Sequence, residues 1–240
     1  PRLTRAVLRT TARATRNLSR HMALRTRAID DVVVSEALAG SRQLVLLGAG
    51  FDARAWRLDA LSDVTVFEVD HPATQADKRA AIGAQAPLAR EVRWAAIDFA
   101  RESIREVLAR AGHDAHARTT FVWEGVTMYL ERSALDATLA DLGAVSAPSS
   151  VVTATYHDAA FRLEAIPLAW VVRAAGEPFR TRMSPSEVRE RFERRGFAVE
   201  RDEGSDDWGR RYLREPTYRN GERLVVARRR GEPIANTSQK

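Results

Sequence analysis

Gln43-Leu44-Val45-Leu46-Leu47-Gly48-Ala49-Gly50-Phe51-Asp52, with Val64-Thr65-Val66-Phe67-Glu68-Val69-Asp70 behind it, decides how this chain is read. The first five residues form an apolar run of strand length that breaks into a glycine turn. The second run ends in a carboxylate, Asp70, twenty residues past Gly50. A buried strand, a glycine turn and a strand tipped with an acid make a pocket for a nucleoside in α/β proteins. Glycine lets backbone approach a ligand with no Cβ in the way. The carboxylate can accept hydrogen bonds from two ribose hydroxyls.

The same rhythm continues outward. Residues 2–18 and about 19–38 read as two helices ahead of the first strand, 43–47. A short helix or turn at 53–61 follows, then a strand at 64–69. Pro72 opens a helix over 73–84. A strand at 91–97 closes on Asp98-Phe99, and a helix at about 102–111 stops before Gly112. Thr119–Trp123 is a fourth strand ending at Glu124-Gly125, Leu135–Val145 a helix, and Ser150–Tyr156 a fifth strand. Five alternations predict a parallel sheet covered by helices on both faces. Residues 157–182 then form a long connection rich in apolar and aromatic groups, expected to serve as a lid or binding wall. Ser184-Pro185-Ser186-Glu187 has the cap and N1 proline of a helix start, for a helix reaching about Arg195. Phe197–Arg201 and Arg223–Arg228 are expected to pair antiparallel at one edge. The expectation is one α/β domain of Rossmann-like class: a helical cap over 1–40, a core over 41–230 with seven mostly parallel strands, and a frayed polar tail over 231–240.

The chain has 240 residues, ordinary hydrophobic content at 45%, and no cysteine, so disulfides, thiolate metal sites and a cysteine nucleophile are excluded. No apolar run approaches the roughly 20 residues that span a bilayer, and a reducing cytoplasm fits the cysteine count. Net charge is +6, but residues 1–27 alone carry eight arginines and no acid. Arg2, Arg5, Arg9, Arg13, Arg16 and Arg20 fall on one helical face, with Leu3, Val7, Ala14 and Leu18 opposite. That pattern reads as an amphipathic cover helix with a solvated basic face; a patch for an anionic partner is the sharper alternative.

In an open α/β sheet, ligands sit beyond the carboxyl ends of the strands. Four such ends carry suggestive groups here: Gly48 with Gly50, Asp70, Asp98 and Glu124. Any one acid alone reads as a helix cap or a solvated loop residue, Asp98 and Asp52 especially, the latter as N-cap of the short helix after it. Gly48-Ala49-Gly50-Phe51-Asp52-Ala53 satisfies the dinucleotide fingerprint G-x-G-x-x-G/A. Yet Phe51-Asp52 puts bulk and negative charge where a pyrophosphate would need a helix N-terminus. A ligand without phosphate, such as S-adenosylmethionine, escapes that repulsion.

Three longer motifs resemble the leucine carboxyl methyltransferase family and the bacterial S-adenosylmethionine-dependent methyltransferases grouped with it. They are Leu46-Leu47-Gly48-Ala49-Gly50-Phe51-Asp52-Ala53-Arg54-Ala55-Trp56-Arg57-Leu58, Phe67-Glu68-Val69-Asp70-His71-Pro72 and Trp123-Glu124-Gly125-Val126-Thr127-Met128-Tyr129-Leu130. Arg25-Thr26-Arg27-Ala28-Ile29-Asp30-Asp31 looks like the family's arginine-bearing entry helix. The likeness runs over roughly residues 20–156. It implies that Arg25, or Arg27 beside it, pairs with the carboxylate of S-adenosyl-L-methionine, and that Gly48 and Gly50 pass under the same end. It further implies that Asp70 takes the ribose hydroxyls, that Asp98 and Phe99 face the adenine, and that Glu124 meets the methionine end. Tyr129 is expected beside the pocket or in the core. His71 departs from the residue types expected at its place and is given no role.

Methyl transfer from a sulfonium needs the partners held in line more than it needs a base, and a carboxylate acceptor is already ionised at pH 7. A phenol or alcohol acceptor would use a base, and Tyr156 and His157 at the end of the fifth strand are the candidates. Arg162, Arg173 and Arg180 could clamp an acidic substrate. The reading is therefore an O-methyltransferase of secondary metabolism acting on a carboxylate of a small metabolite or a peptide C-terminus, with S-adenosyl-L-homocysteine as product, no metal and no membrane partner. Alternatives are an NAD(P)-dependent oxidoreductase, a phenol or alcohol O-methyltransferase, and a non-catalytic binding protein. Nucleic acid is disfavoured as a substrate, because Glu124-Gly125-Val126-Thr127 replaces an Asn-Pro-Pro-Tyr-type tetrad. A homodimer is possible through the apolar 157–182 segment.

Overall fold

A computed structural model describes residues 2–98, 101–161, 179–217 and 219–231, with residues 2–14 described by their backbone alone. In chain order the elements are α1 (Arg2–Leu38), β1 (Gln43–Leu47), α2 (Arg54–Arg57), β2 (Thr65–Asp70), α3 (Pro72–Ile82), β3 (Glu91–Ala96), α4 (Ile104–Arg110), β4 (Thr119–Trp123), α5 (Arg132–Val145), β5 (Val151–His157), α6 (Pro185–Arg194), β6 (Phe197–Gly204), α7 (Ser205–Leu213) and β7 (Glu222–Arg229). Single 3₁₀ turns lie at Asp59–Leu61 and Thr127–Tyr129.

The strands form one seven-stranded sheet in the order β3-β2-β1-β4-β5-β7-β6. From β3 to β5 every pairing is parallel. β7 runs antiparallel to β6, the pairing expected of the last two segments, and also antiparallel to β5. The chain leaves β1 toward β2 and β3, then returns to β4 on the other side. The carboxyl ends of β1 and β4 therefore part into a crevice, the usual ligand position in such sheets.

Period-two alternation sorts the core into two layers. Val45, Leu47, Phe67, Phe121, Trp123, Tyr156 and Val225 pack on one face with α4, α5 and α6. Leu44, Leu46, Val66, Val122, Val151, Leu224 and Val226 pack on the other, beneath α1, Leu61 and Trp208. All five residues of β1 and of β4 are buried, and the consecutive apolar residues 44–47 and 121–123 pack on both faces of the sheet.

Three expectations change. The N-terminal segment is one helix of 37 residues rather than two; with no glycine or proline between Arg2 and Leu38, nothing interrupts the hydrogen-bond ladder. Helix α5 starts three residues early, at Arg132. Helix α7 was unforeseen. Its sequence is rich in charge, with Asp206, Asp207, Arg210 and Arg211, and contains Gly209, and only Trp208 and Tyr212 mark an inner face. That glycine is needed: a Cβ there would stand 2.5 Å from Thr217 Cγ2 and 2.6 Å from the Glu215 carbonyl. Most of the 157–182 connection lies outside the described residues, along with Arg162 and Arg173, and so does the 232–240 part of the tail. Among the described residues no helix is long and apolar enough to cross a membrane.

Trp208 is fully buried and carries α7 onto α1, its ring 5.5 Å from that of His21. Trp208→Ala should cost about 3–5 kcal/mol of unfolding free energy, read from urea denaturation. A loss under 1 kcal/mol would mean the α1–α7 contact is incidental. His113, packed edge-on to Phe67, is driven down to about 4 by burial, against the opposing pull of Asp114. The folded chain thus keeps His113 neutral, while the unfolded chain protonates it near 6.5. This contribution to stability is complete above pH 6.5 and falls away toward pH 4. His113→Gln should flatten that acid-side decline in urea midpoints; an unaltered slope contradicts the assignment.

Candidate functional site

A cavity of about 520 Å³ opens at the carboxyl edge of β1 and β4. Leu46 to Ala49 form its floor, Met22, Arg25 and Thr26 of α1 its roof, and Glu124 its β4 wall. Phe51 to Arg54 close the remaining side. Because β1 enters the turn as a strand buried along its whole length, the glycines are held at a fixed height. Gly48 sits at φ +62° with its N–H donating to the Val69 carbonyl at 2.8 Å. A Cβ on Gly48 would stand 2.6 Å from Val126 Cγ2, so the turn and the β4 loop meet only if this residue is glycine.

Charged side chains fill the roof and wall. Arg25 donates through Nε to Glu124 Oε1 at 2.9 Å and through Nη1 to both oxygens of Glu222, at 2.8 and 3.1 Å. Arg54, 1% exposed, donates through Nε to Asp30 at 2.8 Å and pairs through Nη1 with Asp52 and with Glu124 Oε2, the latter at 2.9 Å. Its Nη2 is buried with no partner. Arg57 binds both oxygens of Asp30, at 2.6 and 2.8 Å. Burial works against the charge of Arg25 but is outweighed by Glu222 and Glu124, leaving its pKa above the usual arginine value. For Arg54, burial is outweighed in the same way by Asp52, Glu124 and Asp30. Glu222 would be raised by burial, yet Arg25 and His21 bring it down to about 2.

The residues singled out from sequence separate on this framework. Arg25, Gly48 and Glu124 line the cavity together. Arg27 is mostly exposed and pairs with Asp31, so α1 offers Arg25 to the cavity and Arg27 to solvent. Asp70 does not line the cavity; its Oδ2 accepts from the Gly50 N–H and its Oδ1 from the His71 N–H, both at 2.6 Å, which ties the β2 tip to the glycine turn. Asp98 stands beside it at the end of β3, part-exposed, 3.5 Å from the Arg101 guanidinium. Phe99 lies outside the described residues. Asp52 stands one residue ahead of Ala53, the cap position of α2, and still caps that helix: its Oδ1 accepts from the Arg54 N–H at 2.8 Å, while its Oδ2 pairs with the Arg54 guanidinium. His71 caps α3, its Nδ1 accepting from the Ala73 N–H at 3.2 Å. Tyr129 stacks on Phe179 at 5.6 Å, and Arg180 is exposed beside Glu131.

Tyr156 and His157 are adjacent on β5 and therefore face opposite layers. The Tyr156 hydroxyl is 2.7 Å from Asp202 Oδ2, to which it donates, and accepts from Arg223 Nε at 3.0 Å. Burial, then Asp202, raises its pKa far above the ordinary value. It belongs to the layer away from α1 and does not line the cavity, which removes it as a base. His157 lies on the α1 side, 7% exposed, its ring 4.7 Å from Phe179 and its Nδ1 unpartnered. Burial lowers its pKa, with Glu222 opposing and His21, Arg25 and Arg182 reinforcing, so it is neutral at pH 7.

Three important residues carried no sequence-level assignment. Arg54 lay inside the glycine motif, two residues after Asp52 and three before Arg57, and nothing local set it apart from those two charges. His21 and Glu222 had no local signal either, since Glu222 meets Arg25 across 197 residues of chain. The glycine turn itself opens a helix of only four residues, Arg54–Arg57, with Asp52 at its mouth. That is too short a helix, with the wrong charge before it, to cradle a pyrophosphate.

Residues 3–143 match the leucine carboxyl methyltransferase family. A Mycobacteroides abscessus protein that carries the name of a candidate S-adenosyl-L-methionine-dependent methyltransferase is 39% identical over 132 residues, which are 55% of this chain and 43% of that protein. The aligned part is thus less than half the relative's length. Among solved structures, a DUF574 family protein from Streptomyces avermitilis superposes with a TM-score of 0.69 at 18% identity, over 92% of this chain and 88% of that one. A candidate methyltransferase from Thermobifida fusca superposes at 0.65 and 17% identity, over 90% and 82% of the two chains. At these identities the superpositions establish the fold, a class I methyltransferase-like sheet.

Gly48→Ala should lower stability by about 1–2 kcal/mol from its left-handed backbone alone, with a further loss from the Val126 contact. Adding Val126→Ala should recover the second part and leave the first. Urea midpoints of the single and double variants test this, and a neutral Gly48→Ala contradicts it.

Proposed function

The chain belongs to the leucine carboxyl methyltransferase family, and from that premise we propose that it is an S-adenosyl-L-methionine-dependent O-methyltransferase whose acceptor is a carboxylate on a small metabolite or a peptide C-terminus. The observation that carries this reading is the charge pattern around the cavity. Two buried guanidiniums, Arg25 and Arg54, flank the Glu124 carboxylate at the mouth of the glycine turn. This is the complement of an α-amino acid zwitterion, which offers one carboxylate and one ammonium. The unpartnered Arg54 Nη2 leaves donor capacity in the same place.

In this reading Arg25 holds the cofactor's carboxylate and Glu124 its ammonium. Gly48 and Gly50 let the chain pass close beneath, Asp70 takes the ribose hydroxyls on the lone pairs left free by the Gly50 and His71 amides, beyond the edge of the cavity lining, and Asp98 with Phe99 meets the adenine. The bound cofactor supplies a methyl group already activated on a sulfonium. The protein's share is alignment and exclusion of water, effects worth roughly 7–11 kcal/mol where geometry is favourable. An ionised carboxylate acceptor asks for no base, which suits a site where the Tyr156 hydroxyl is bound to Asp202 and Arg223. A phenol or alcohol acceptor is the second reading. His157, neutral and with a free Nδ1 on the α1 side of the sheet, is the group that would serve it, although it is not among the residues lining the cavity. The short α2 and the Asp52 carboxylate weigh against NAD(P).

Calorimetric titration with S-adenosylhomocysteine tests the site. Glu124→Gln and Asp70→Ala should each weaken binding about tenfold or more, and NADPH should give no heat. Unchanged affinity in both variants rejects the reading. Methyl transfer to carboxylic acids that survives His157→Ala supports the base-free route; wild-type transfer to phenols or alcohols but not to carboxylic acids, lost in His157→Ala, moves the assignment to the hydroxyl acceptor.

A further inference from the structure

Glu222 is the first residue of β7, far from every motif in the sequence, and 4% exposed. It faces the α1 layer with Leu224 and Val226, opposite His157 in the β5–β7 register. One of its oxygens accepts from His21 Nε2 at 2.6 Å, and both accept from Arg25 Nη1. His21 and Arg25 are four residues apart on α1, so one carboxylate pins successive turns of that helix to the sheet. Trp208 of α7 closes the far side of His21.

This arrangement divides the Arg25 guanidinium into two edges. The Nη1 end belongs to Glu222. The Nε and Nη2 edge points to Glu124 Oε1, 2.9 Å from each nitrogen. Glu124 has a second hold, Oε2 on Arg54, and so can give up the Arg25 edge without being left unpaired. Resting on the methyl-donor reading above, we infer that Glu222, braced by His21, is a positioning residue: it fixes the Nη1 end of Arg25 so that the Nε/Nη2 edge is offered to the carboxylate of the cofactor's amino acid end. Glu222 touches no ligand in this scheme and acts through Arg25. A guanidinium held at one end loses less side-chain freedom on binding, and its planar fork is aimed in advance.

The test compares two ligands that share the nucleoside and differ in the amino acid end. S-adenosylhomocysteine carries the carboxylate and ammonium; 5′-methylthioadenosine carries neither. Glu222→Gln keeps the shape and removes the charge. It should weaken S-adenosylhomocysteine about tenfold and leave methylthioadenosine within about twofold. In an Arg25→Ala background the same change should have no further effect on either ligand, because the route through Arg25 is gone. Equal weakening of both ligands would mean general damage to the fold and overturns the inference, as does a Glu222→Gln chain that still discriminates like the wild type. Should Glu222→Gln fail to fold, His21→Asn is the reporter: it should shift S-adenosylhomocysteine alone, and a shift in both ligands overturns the inference. A wild-type chain that takes up neither ligand sinks the methyl-donor reading and this inference with it. Wild-type uptake of both, with Glu222→Gln indifferent, sinks this inference alone.

Discussion

The buried charge cluster where α1 crosses the carboxyl edge of the sheet is the constraint on which the rest of the site depends. Arg25 and Arg54 stand between Glu222, Glu124, Asp52 and Asp30, nearly all out of water. Removing such ions from solvent costs several kcal/mol each, and only near-complete pairing offsets it. Each guanidinium therefore serves two or more carboxylates, and Glu124 is shared between both. An apolar cluster of equal volume could be at least as stable. What the ions add is direction: they fix α1, the glycine turn, β4 and β7 in one register around a single cavity.

The sheet makes that cluster possible. Reversal of strand order at β1 and β4 opens the crevice, and the alternation of side chains decides which residues can reach it. Glu222, His157 and the even residues of β1 share the α1 face, whereas Tyr156 does not. Two neighbours in sequence thus have unrelated surroundings, one neutral imidazole beside the charge cluster and one phenol bound between Asp202 and Arg223. The antiparallel insertion of β7 between β5 and β6 is equally consequential. It brings the start of β7 to the same edge as the ends of the parallel strands, and so brings Glu222 to Arg25.

Much of this was legible in advance. β1 and β4 matched to the residue because the consecutive apolar residues 44–47 and 121–123 mark strands buried on both faces. The helix at Ser184 was announced by its cap residue and its N1 proline, and the structure adds the return bond to Glu187 that completes a capping box. Arg25, Gly48 and Glu124 do meet in one cavity: Gly48 and Glu124 directly follow strands whose ends the pattern predicted, and Arg25 lies within the helix that crosses them. Helix α7 was missed because its charged composition hides a single buried tryptophan. The break expected within α1 was a misreading of a segment that contains no breaker.

Sequence alone determined the alternating α/β order, the glycine turn, the acids at the strand tips and the likeness that names the family, because these are local patterns or strings of neighbouring residues. Tertiary structure alone decided that Arg25 rather than Arg27 enters the cavity, that Asp70 grips the Gly50 amide, and that Glu222 completes the arginine's hold. Those outcomes depend on which helix face meets the sheet and on partners almost two hundred residues apart, and no local period carries that information.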